Sequence, residues 1–496
     1  MLPFAGTGHT NLLVMPKLKR TARSQSNRSF NKVFRDPVHD LIRLGSEDEF
    51  ILRLIDTREF QRLRRIKQLG IGYFVYPGAE HTRFAHSLGV FYFARRMIER
   101  LRVQCDTRTR QELDLNGPVI KAAALLHDIG HGPFSHVFER VFERDEEGAR
   151  QVLDHEGWTS RIILDSSSEV HHVLAESGID AKSVAVLITD KPPAGFEPPV
   201  DPYLKDIVHS QLDADRMDYL LRDSLMTGSR FGQFDAEWIL NVLAIGELRS
   251  GKGRIRKLCL DASKGIGAIE GMLLARLNMT KYVYGHKTTR AYEAELLSLL
   301  RLAGELVSIL PDETPVPVRN FLKKRGDVEI KDYLLLDDEV MWWAIRRWAV
   351  WKPALEADRH ALADALSRHS LRLVRRQHPW RTRRLRTSQE LRQAASLVEE
   401  LRGNRDDRLR FEWHLDTMST WPYKEPARRV RRGEDPEQAY FEDIHVVKDG
   451  EAVPIQEAEE SGILNALAEP WAEHRFHFDP KYFEEFTGHL RMLGLS

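Results

Sequence analysis

One segment of the chain joins an apolar run to a pair of polar side chains that suit a metal ion. Residues 122–126 read Ala-Ala-Ala-Leu-Leu, His127 and Asp128 follow directly, and two glycines and Pro133 come soon after. The apolar run predicts a buried helix, and the glycines and the proline predict its end. A core helix would then present an imidazole and a carboxylate at its carboxyl end, where they could bind a divalent transition-type ion. A structural His-Asp salt bridge would give the same pair, so the pair alone leaves both interpretations open.

Two further segments supply candidate ligands. His86 lies at the predicted start of an amphipathic helix that Ser87 could cap. Asp215 begins a stretch in which positions 215, 219 and 222–223 share one helix face, so a carboxylate, a phenol and further charges point together. A solvated helix face is the alternative, but it does not explain the interleaved apolar side chains. The sequence therefore predicts a metal site made of His86, His127, Asp128 and Asp215.

Composition excludes several classes of protein. Lys plus Arg and Asp plus Glu each total 74 in 496 residues, so no net charge draws the chain to nucleic acid or membrane. The two cysteines are too few for a disulfide framework or a thiolate metal site, and they fit a reducing compartment. The apolar runs are far shorter than the roughly 20 residues needed to cross a bilayer. We predict a soluble cytoplasmic protein.

The chain is long enough for one large core and a second, smaller unit. Residues 1–30 predict a disordered basic arm, residues 31–310 a mainly α core, and residues 311–496 a smaller α+β lobe with an oligomerisation or regulatory role. Lys448-Asp449-Gly450 predicts a hairpin turn between two short strands. Predicted helices cover residues 59–68, 87–101, 119–126, 210–225, 265–305 with interruptions, and 480–493; residues 475–478 predict a strand and residues 191–202 a proline-rich loop.

The order of the four candidate ligands resembles that of the HD-domain phosphohydrolases, which implies an HD-domain helical core. Three longer strings, at residues 60–70, 77–90 and 127–136, closely resemble the deoxynucleoside triphosphate triphosphohydrolases, and are most similar to their SAM-and-HD-domain branch. The resemblance covers residues 32–300 well and the remainder faintly. With only about 30 residues before the core, we expect no SAM domain there.

The resemblance implies an activity. Attack at the α-phosphorus of a deoxynucleoside triphosphate would release the deoxynucleoside and intact triphosphate. It also implies Fe, Mn, Zn or Mg at the four-residue site, a magnesium ion accompanying the substrate, possible activation by a nucleotide, and a homo-oligomer such as a dimer or tetramer.

Residue roles follow from the spacing and from the resemblance. His136 and Glu139 lie at i and i+3, where the carboxylate can hold the imidazole as a general acid for the leaving oxygen. His155 is the second candidate, and His131 matches a family histidine near the α-phosphate. Thr280 stands where the mammalian-type enzyme has a histidine, and Arg216 replaces a family lysine. The residues that match the family's substrate contacts are Gln68, Leu69, Arg83, Arg216, Tyr219, Asp223, Arg276 and Tyr284.

Regulated members of this family bind activating nucleotides between subunits. Some of those positions are matched here, although Arg35 replaces an expected asparagine. The matching residues are Lys32, Val33, Asp56, Gln61, Arg64, His286 and Lys287.

Other functions remain open from the sequence. The ligand set also serves guanosine tetraphosphate hydrolases and cyclic-dinucleotide phosphodiesterases, but their additional signatures are missing. An HD-type nuclease would use a similar sugar pocket. A module that binds single-stranded nucleic acid would use residues 371–386, where seven arginines surround Trp380, together with the basic residues 428–432. A solvated face or subunit contact is the alternative interpretation of these arginines.

Overall fold

The computed structural model describes residues 31–142, 153–189, 202–250, 253–352, 357–377, 380–403, 409, 411–425, 442–458 and 461–492. Helices dominate these residues, so the predicted fold class, mainly α with smaller α+β parts, is confirmed. The predicted arm at residues 1–30, most of the loop at 191–202 and the basic segment 428–432 lie outside the described residues.

The helices and strands have the following bounds. The helices are α1 Glu49–Ile55, α2 Arg58–Arg62, α3 Arg83–Gln104, α4 Thr107–Leu126, α5 His136–Glu139, α6 His155–Leu164, α7 Glu169–Glu176, α8 Ala181–Ile188, α9 Pro202–Asp206, α10 Ala214–Thr227, α11 Ala236–Asn241, α12 Ala262–Met279, α13 Lys287–Glu305, α14 Val316–Lys323, α15 Ile330–Tyr333, α16 Asp338–Trp348, α17 Ala357–Val374 and α18 Ser388–Gly403, with short helices at Ile455–Ala458, Gly462–Leu467 and Phe483–Met492. The strands are β1 Lys32–Asp36, β2 Asp40–Leu44, β3 Leu243–Ser250, β4 Gly253–Asp261, β5 Arg381–Leu385, β6 Trp413–Thr420, β7 His445–Lys448, β8 Glu451–Pro454 and β9 Trp471–Phe478.

Three helices, α3, α4 and α10, form the frame of the core. Helix α4 begins after Asp106, whose side chain caps it, and it ends at Leu126 as predicted. All five residues of the apolar run 122–126 are fully buried. Helix α10 begins after the capping side chain of Asp213 and ends at Gly228 in the left-handed conformation that favours glycine (φ 73°). Both α4 and α10 pack against α3, which fixes the relative positions of their ends.

The strands form three small sheets. β1 and β2 make an antiparallel hairpin, β5, β9 and β6 make a three-stranded sheet, and β3, β4, β7 and β8 close into a small barrel. The hairpin predicted around Asp449 is confirmed, because β7 pairs antiparallel with β8. Asp449 and Gly450 form its turn, and both have the positive φ (52° and 84°) that such two-residue turns require. The barrel joins strands from distant parts of the chain, because β4 pairs in parallel with β7.

Side chains on both sides of residue 310 share one apolar cluster. Leu299 and Leu302 of α13 pack in the same cluster as Phe321 of α14 and Trp348 of α16. The domain boundary at 310/311 stays a prediction, but a cut there would expose part of this cluster.

The structure refines the predicted helix bounds around residues 59–87 and locates an interruption of the helix predicted over 265–305. The helix expected over 59–68 ends at Arg62 and continues as one 3₁₀ turn, because Lys67 forms a β-bridge with Thr82 that draws the chain into an extended form. Helix α3 begins after Thr82 rather than after Ser87, so His86 lies within its first turn. A π-helical turn at 280–284 separates α12 from α13.

Among the described helices, we find none that is both long and apolar enough to cross a lipid bilayer.

Candidate metal centre and active site

Three helix ends bring a metal-binding group together. His86 comes from α3, His127 from the carboxyl end of α4 and Asp215 from the first turn of α10. His86 Nε2 lies 3.3 Å from His127 Nε2 and 2.9 Å from Asp215 Oδ1. Ligands at about 2.0–2.2 Å from one ion lie about 3 Å from each other, so these atoms have the spacing that a single divalent ion requires.

The second ring nitrogen of each histidine has its own partner. His86 Nδ1 lies 2.8 Å from Asp218 Oδ2, and His127 Nδ1 lies 2.9 Å from the carbonyl oxygen of Ala124. Each Nδ1–H therefore donates to an oxygen, which leaves Nε2 of each ring as the nitrogen that would bind a metal ion. Both imidazoles are thus held in the tautomer that a metal ligand needs.

Asp128, the fourth predicted ligand, lies beside the other three and also contacts the guanidinium group of Arg83. Its Oδ1 is 3.4 Å from His127 Nε2, and its Oδ2 is 3.8 Å from His86 Nε2. The same Oδ2 accepts a hydrogen bond from Arg83 Nη1 at 2.6 Å. The carboxylate therefore links the metal position to the first predicted phosphate-binding residue.

The carboxylates around His86 favour a positive charge at the metal position. Burial lowers the pKa of His86, but hydrogen bonds to Asp215 and Asp218 outweigh it and raise the pKa to about 10. Burial opposes ionisation of Asp215, yet the two histidines lower its pKa strongly. A proton on His86 thus supplies positive charge that a divalent ion would supply at the same place. The residues fit a divalent metal.

A buried ion network that the sequence did not reveal supports His86. Asp218 Oδ1 accepts from His39 Nε2 at 2.7 Å and from Arg222 Nη2 at 3.0 Å, and Arg222 Nη1 also donates to Asp36 at 2.8 Å. Asp218 and Arg222 lie at i and i+4 on α10, a spacing that could have suggested the pair. Helix α3 approaches so closely that a Cβ at Gly89 would lie 1.9 Å from Asp218 Oδ1.

A second group surrounds Glu139. His155 Nδ1 and His131 Nδ1 lie 3.1 Å and 3.3 Å from its Oε1, and His136 Nδ1 lies 3.4 Å from its Oε2. The rings of His131 and His155 stack at 4.0 Å. His131 Nε2 also lies 3.3 Å from Asp128 Oδ1, which joins this group to the metal position. The structure therefore brings together all four predicted catalytic residues.

The three histidines differ in their surroundings. The side chain of His136 is 67% exposed, whereas that of His131 is 1% exposed. Burial and the nearby Arg83 lower the pKa of His131 to about 3, so this ring is neutral near pH 7. Burial opposes the charge of His155, but Glu139 raises its pKa. His136 and His155 are therefore the better candidates for a proton donor.

Two of the predicted sugar contacts, Asp223 and Tyr284, are hydrogen-bonded to each other. Asp223 Oδ2 accepts from the Tyr284 hydroxyl at 2.8 Å, and its Oδ1 lies 2.8 Å from His81 Nε2. The ring of Tyr219 lies 6.4 Å from that of Tyr284. His81 was missed in the sequence because its role depends on a residue 142 positions away.

Several residues predicted to contact phosphate or sugar have buried polar atoms without a hydrogen-bond partner among the described residues. Arg276 Nη1, Arg216 Nε and Gln68 Oε1 are buried and have no hydrogen-bond partner among the described residues. Arg216 Nη1 pairs with Asp213, and Leu69, which follows Gln68, is half-buried. Such orphaned polar atoms are costly unless a ligand or water satisfies them.

The predicted regulatory residues lie on separate elements of the chain. Gln61 and Arg64 share a hydrogen bond of 2.8 Å, and the Arg64 guanidinium lies over the ring of Phe84. The others are exposed or half-buried on β1, after α1 and at the start of α13, namely Lys32, Val33, Asp56, His286 and Lys287. Their shared role remains a prediction.

A third group of metal-ligand type lies in the C-terminal half, and its charges are balanced internally. Burial lowers the pKa of His369, but carboxylates on both sides outweigh this effect and raise it to about 9. Three carboxylates therefore face two guanidinium groups and a protonated imidazole, which indicates a structural ion network. Its members are Glu295, Arg368, His369, Arg372, Glu412 and Asp479.

The aromatic side chain at the centre of the predicted nucleic-acid-binding segment 371–386 is buried. Trp380 is 2% exposed and packs against His369, so it is not available to stack on a base. Arg372 in the same stretch is paired with Glu295 and Asp479. The interpretation of residues 371–386 as a base-stacking surface is wrong for Trp380.

Comparisons with known proteins identify the domain and several similar chains. The family model described as "HD domain" matches residues 83–223, a span that contains all four predicted metal ligands. An uncharacterised protein of Bacillus subtilis, YwfO, is 38% identical over 66% of this chain and 69% of its own length. The deoxynucleoside triphosphate triphosphohydrolase SAMHD1 of Mus musculus is 31% identical over 58% of this chain, which spans about half (46%) of that protein. A crystal structure of a phosphohydrolase from Bacteroides thetaiotaomicron matches 91% of this chain and 100% of its own with a TM-score of 0.67 and 26% identity.

The helical core, the metal-ligand set and these matches define an HD-domain phosphohydrolase. More narrowly, the chain belongs to the HD-domain family that resembles the deoxynucleoside triphosphate triphosphohydrolases.

Proposed function

We propose that the chain hydrolyses deoxynucleoside triphosphates to a deoxynucleoside and inorganic triphosphate. The observation that carries the proposal is the face of α10, on which Asp215, Tyr219 and Asp223 follow at intervals of four residues. At 1.5 Å per residue, the metal ligand and the sugar contact are about 12 Å apart along the helix axis. That spacing leaves room for a deoxyribose and its 5′-phosphate between the two side chains.

The residues around the metal position would bind the phosphates. When bound, a divalent ion, whether Fe, Mn, Zn or Mg, would supply Lewis-acid activation at the α-phosphorus. Arg83, already in contact with Asp128, would bind a phosphate oxygen, and Arg216 and Arg276 would use their unpartnered nitrogens for the others. A magnesium ion would accompany the triphosphate.

A proton must reach the O5′ atom as its bond to phosphorus breaks. We assign this step to His136, because it is the exposed member of the group and Glu139 stands beside its Nδ1. His155 is the alternative, since it contacts the same carboxylate and lies in the next helix. His131 would stay neutral and would orient Asp128.

The sugar pocket would explain a preference for deoxyribose. Asp223 is held by Tyr284 and His81, and its remaining lone pairs could accept the 3′-hydroxyl. Gln68 would share that hydroxyl, and Leu69 and Tyr284 would pack against the sugar face where ribose carries its 2′-hydroxyl. Because a buried, unpartnered hydroxyl is unfavourable, ribonucleotides would bind less well.

Product analysis tests the proposal directly. The protein is incubated with each of the four deoxynucleoside triphosphates and with ATP, in manganese or magnesium, with and without a second nucleotide. Deoxynucleoside and inorganic triphosphate as the products support the proposal. Release of phosphate, diphosphate or nucleoside monophosphate would contradict the proposal and would indicate a different phosphohydrolase activity. Dependence of the rate on the second nucleotide, and on assembly into a dimer or tetramer, would support the proposed regulatory residues.

A further inference from the structure

A short segment of the C-terminal half holds the loops of the candidate active site. We call residues 333–338, which join α15 to α16, the clamp segment. The Tyr333 hydroxyl donates to the carbonyl oxygen of Gly130 at 2.7 Å, and its ring stacks on Trp158 at 3.8 Å. The carbonyl oxygen of Leu336 accepts from Arg62 Nε at 2.8 Å. The clamp segment therefore contacts the loop that follows His127 and Asp128.

One carboxylate in the clamp segment joins two separate loops. Asp338 Oδ1 accepts from the backbone N–H of Phe134 at 2.8 Å, and its Oδ2 accepts from the backbone N–H of Lys67 at 2.9 Å. Asp338 is 5% exposed. Lys67 directly precedes Gln68 of the proposed sugar pocket, and Phe134 lies two residues before His136. The Asp338 side chain thus ties the residue next to the proposed sugar pocket to the loop that precedes the proposed proton donor.

The loop that Asp338 holds has a backbone conformation that needs support. Phe134 and Ser135 have φ values of 56° and 54°, in the left-handed region that side chains other than glycine seldom adopt. In this conformation the Ser135 hydroxyl accepts from Arg83 Nε at 2.9 Å and donates to the Lys67 carbonyl oxygen at 3.0 Å. Release of the Phe134 N–H would let the loop relax away from Arg83 and Lys67.

We propose that Asp338, with Tyr333, acts as a positioning residue: it holds the 130–136 loop and residue 67 in register so that His136, Arg83 and Gln68 face one substrate. This inference rests on the proposed function for the roles of those three residues. His86, His127 and Asp215 lie on α3, at the end of α4 and on α10, and Asp128 directly follows His127. The contacts of Tyr333 and Asp338 with this loop begin at Gly130, beyond the metal ligands, so we expect the clamp segment to act on the loop and to leave the metal site in place.

Three variants separate positioning from general stability. Asp338→Asn keeps the volume of the side chain, but it replaces one of the two acceptor oxygens with an NH2 group, so that one of the two backbone N–H groups would face a donor. Glu339→Gln changes the next carboxylate along α16, which is exposed, and is the matched control. Tyr333→Phe removes only the hydroxyl that binds Gly130 and keeps the stacked ring.

The decisive measurements are kcat and KM together with amide hydrogen exchange of each peptide. For Asp338→Asn we expect kcat to fall roughly 10- to 100-fold, as for a misplacement of about 1 Å, with metal content unchanged and with faster exchange at residues 60–70 and 129–139 only. Tyr333→Phe should speed exchange at 129–139 alone, and Glu339→Gln should match the unaltered protein. Unaltered exchange and kcat in Asp338→Asn, or loss of its metal, would overturn the proposal.

The exchange measurement does not depend on catalysis. If the unaltered protein hydrolyses no nucleotide, the proposed function fails, while the exchange pattern still decides whether the clamp segment orders the loops. If Asp338→Asn does not fold, the Tyr333→Phe variant provides the test. An amide exchange rate at residues 129–139 equal to that of the unaltered protein would then overturn the proposal.

Discussion

The carboxylate of Asp218 lies 2.8 Å from Nδ1 of His86 and so determines which nitrogen of that imidazole faces the metal position. Asp218 is not itself a member of the ligand group. It is fully buried and also accepts hydrogen bonds from His39 and Arg222. The metal site is therefore built on a second layer of ion pairs beneath the ligands.

Asp218→Asn should weaken metal binding by roughly 10- to 100-fold, the usual effect of removing the partner of a metal-bound histidine. The asparagine would no longer hold the His86 N–H as a carboxylate does, while Arg222 would keep Asp36 as its partner. Metal affinity of the folded protein is measured by titration against a chelator. Asp114→Asn, at an exposed carboxylate of α4, should bind metal normally, and an unchanged affinity in Asp218→Asn would contradict the proposed layer.

Gly89→Ala should unfold or strongly destabilise the protein, because the new Cβ would lie 1.9 Å from Asp218 Oδ1 and 2.5 Å from Arg222 Nη2. The helices would have to separate and the buried ion pairs would be disturbed, at a cost of about 3 kcal/mol or more. Gly271→Ala, at an open position of α12, should instead stabilise by about 0.5–1 kcal/mol. Urea unfolding of both variants measures the contrast, and equal effects would rule out the close helix approach.

His136→Asn should lower kcat by about 10²–10⁴-fold if His136 is the proton donor. His155→Asn is measured in parallel, and His172→Asn on the exposed face of α7 should behave as the unaltered protein. A larger loss of kcat in His155→Asn would transfer the role to His155.

The buried His369 should make stability depend on pH in the alkaline range. Its pKa rises from 6.5 to about 9 on folding, so the folded state binds the proton more tightly than the unfolded state. The stabilisation is complete below pH 6.5 and is lost as the pH rises through 9; by the size of the shift it amounts to roughly 3 kcal/mol.

Urea unfolding at pH 6 and pH 9.5 checks this expectation. The unaltered protein should lose more stability between the two pH values than His369→Gln, which lacks the titrating group. His172→Gln should follow the unaltered protein. Equal losses of stability between the two pH values in all three proteins would show that His369 is not responsible for the pH dependence.

The sequence was informative where function depends on neighbours along the chain. The helix end at Leu126, the i and i+3 contact of His136 and Glu139, and the Asp449-Gly450 turn all belong to short motifs, and each is found where the sequence predicts it. The ion network behind His86 was missed because its members are far apart in the sequence: Asp218 contacts His39 across 179 positions. Trp380 beside its arginines suggested an exposed surface, but the ion network of His369 buries it.

The barrel of β3, β4, β7 and β8 affects how the chain is made. When the ribosome has synthesised β3 and β4, their outer edges carry unpaired backbone groups, and β7 and β8 are still to come almost 200 residues later. Open strand edges pair readily with other chains. Translation of the intervening segment is thus a period in which the nascent protein depends on dilution or chaperones, and slowing translation there should increase aggregation without any change in the finished molecule.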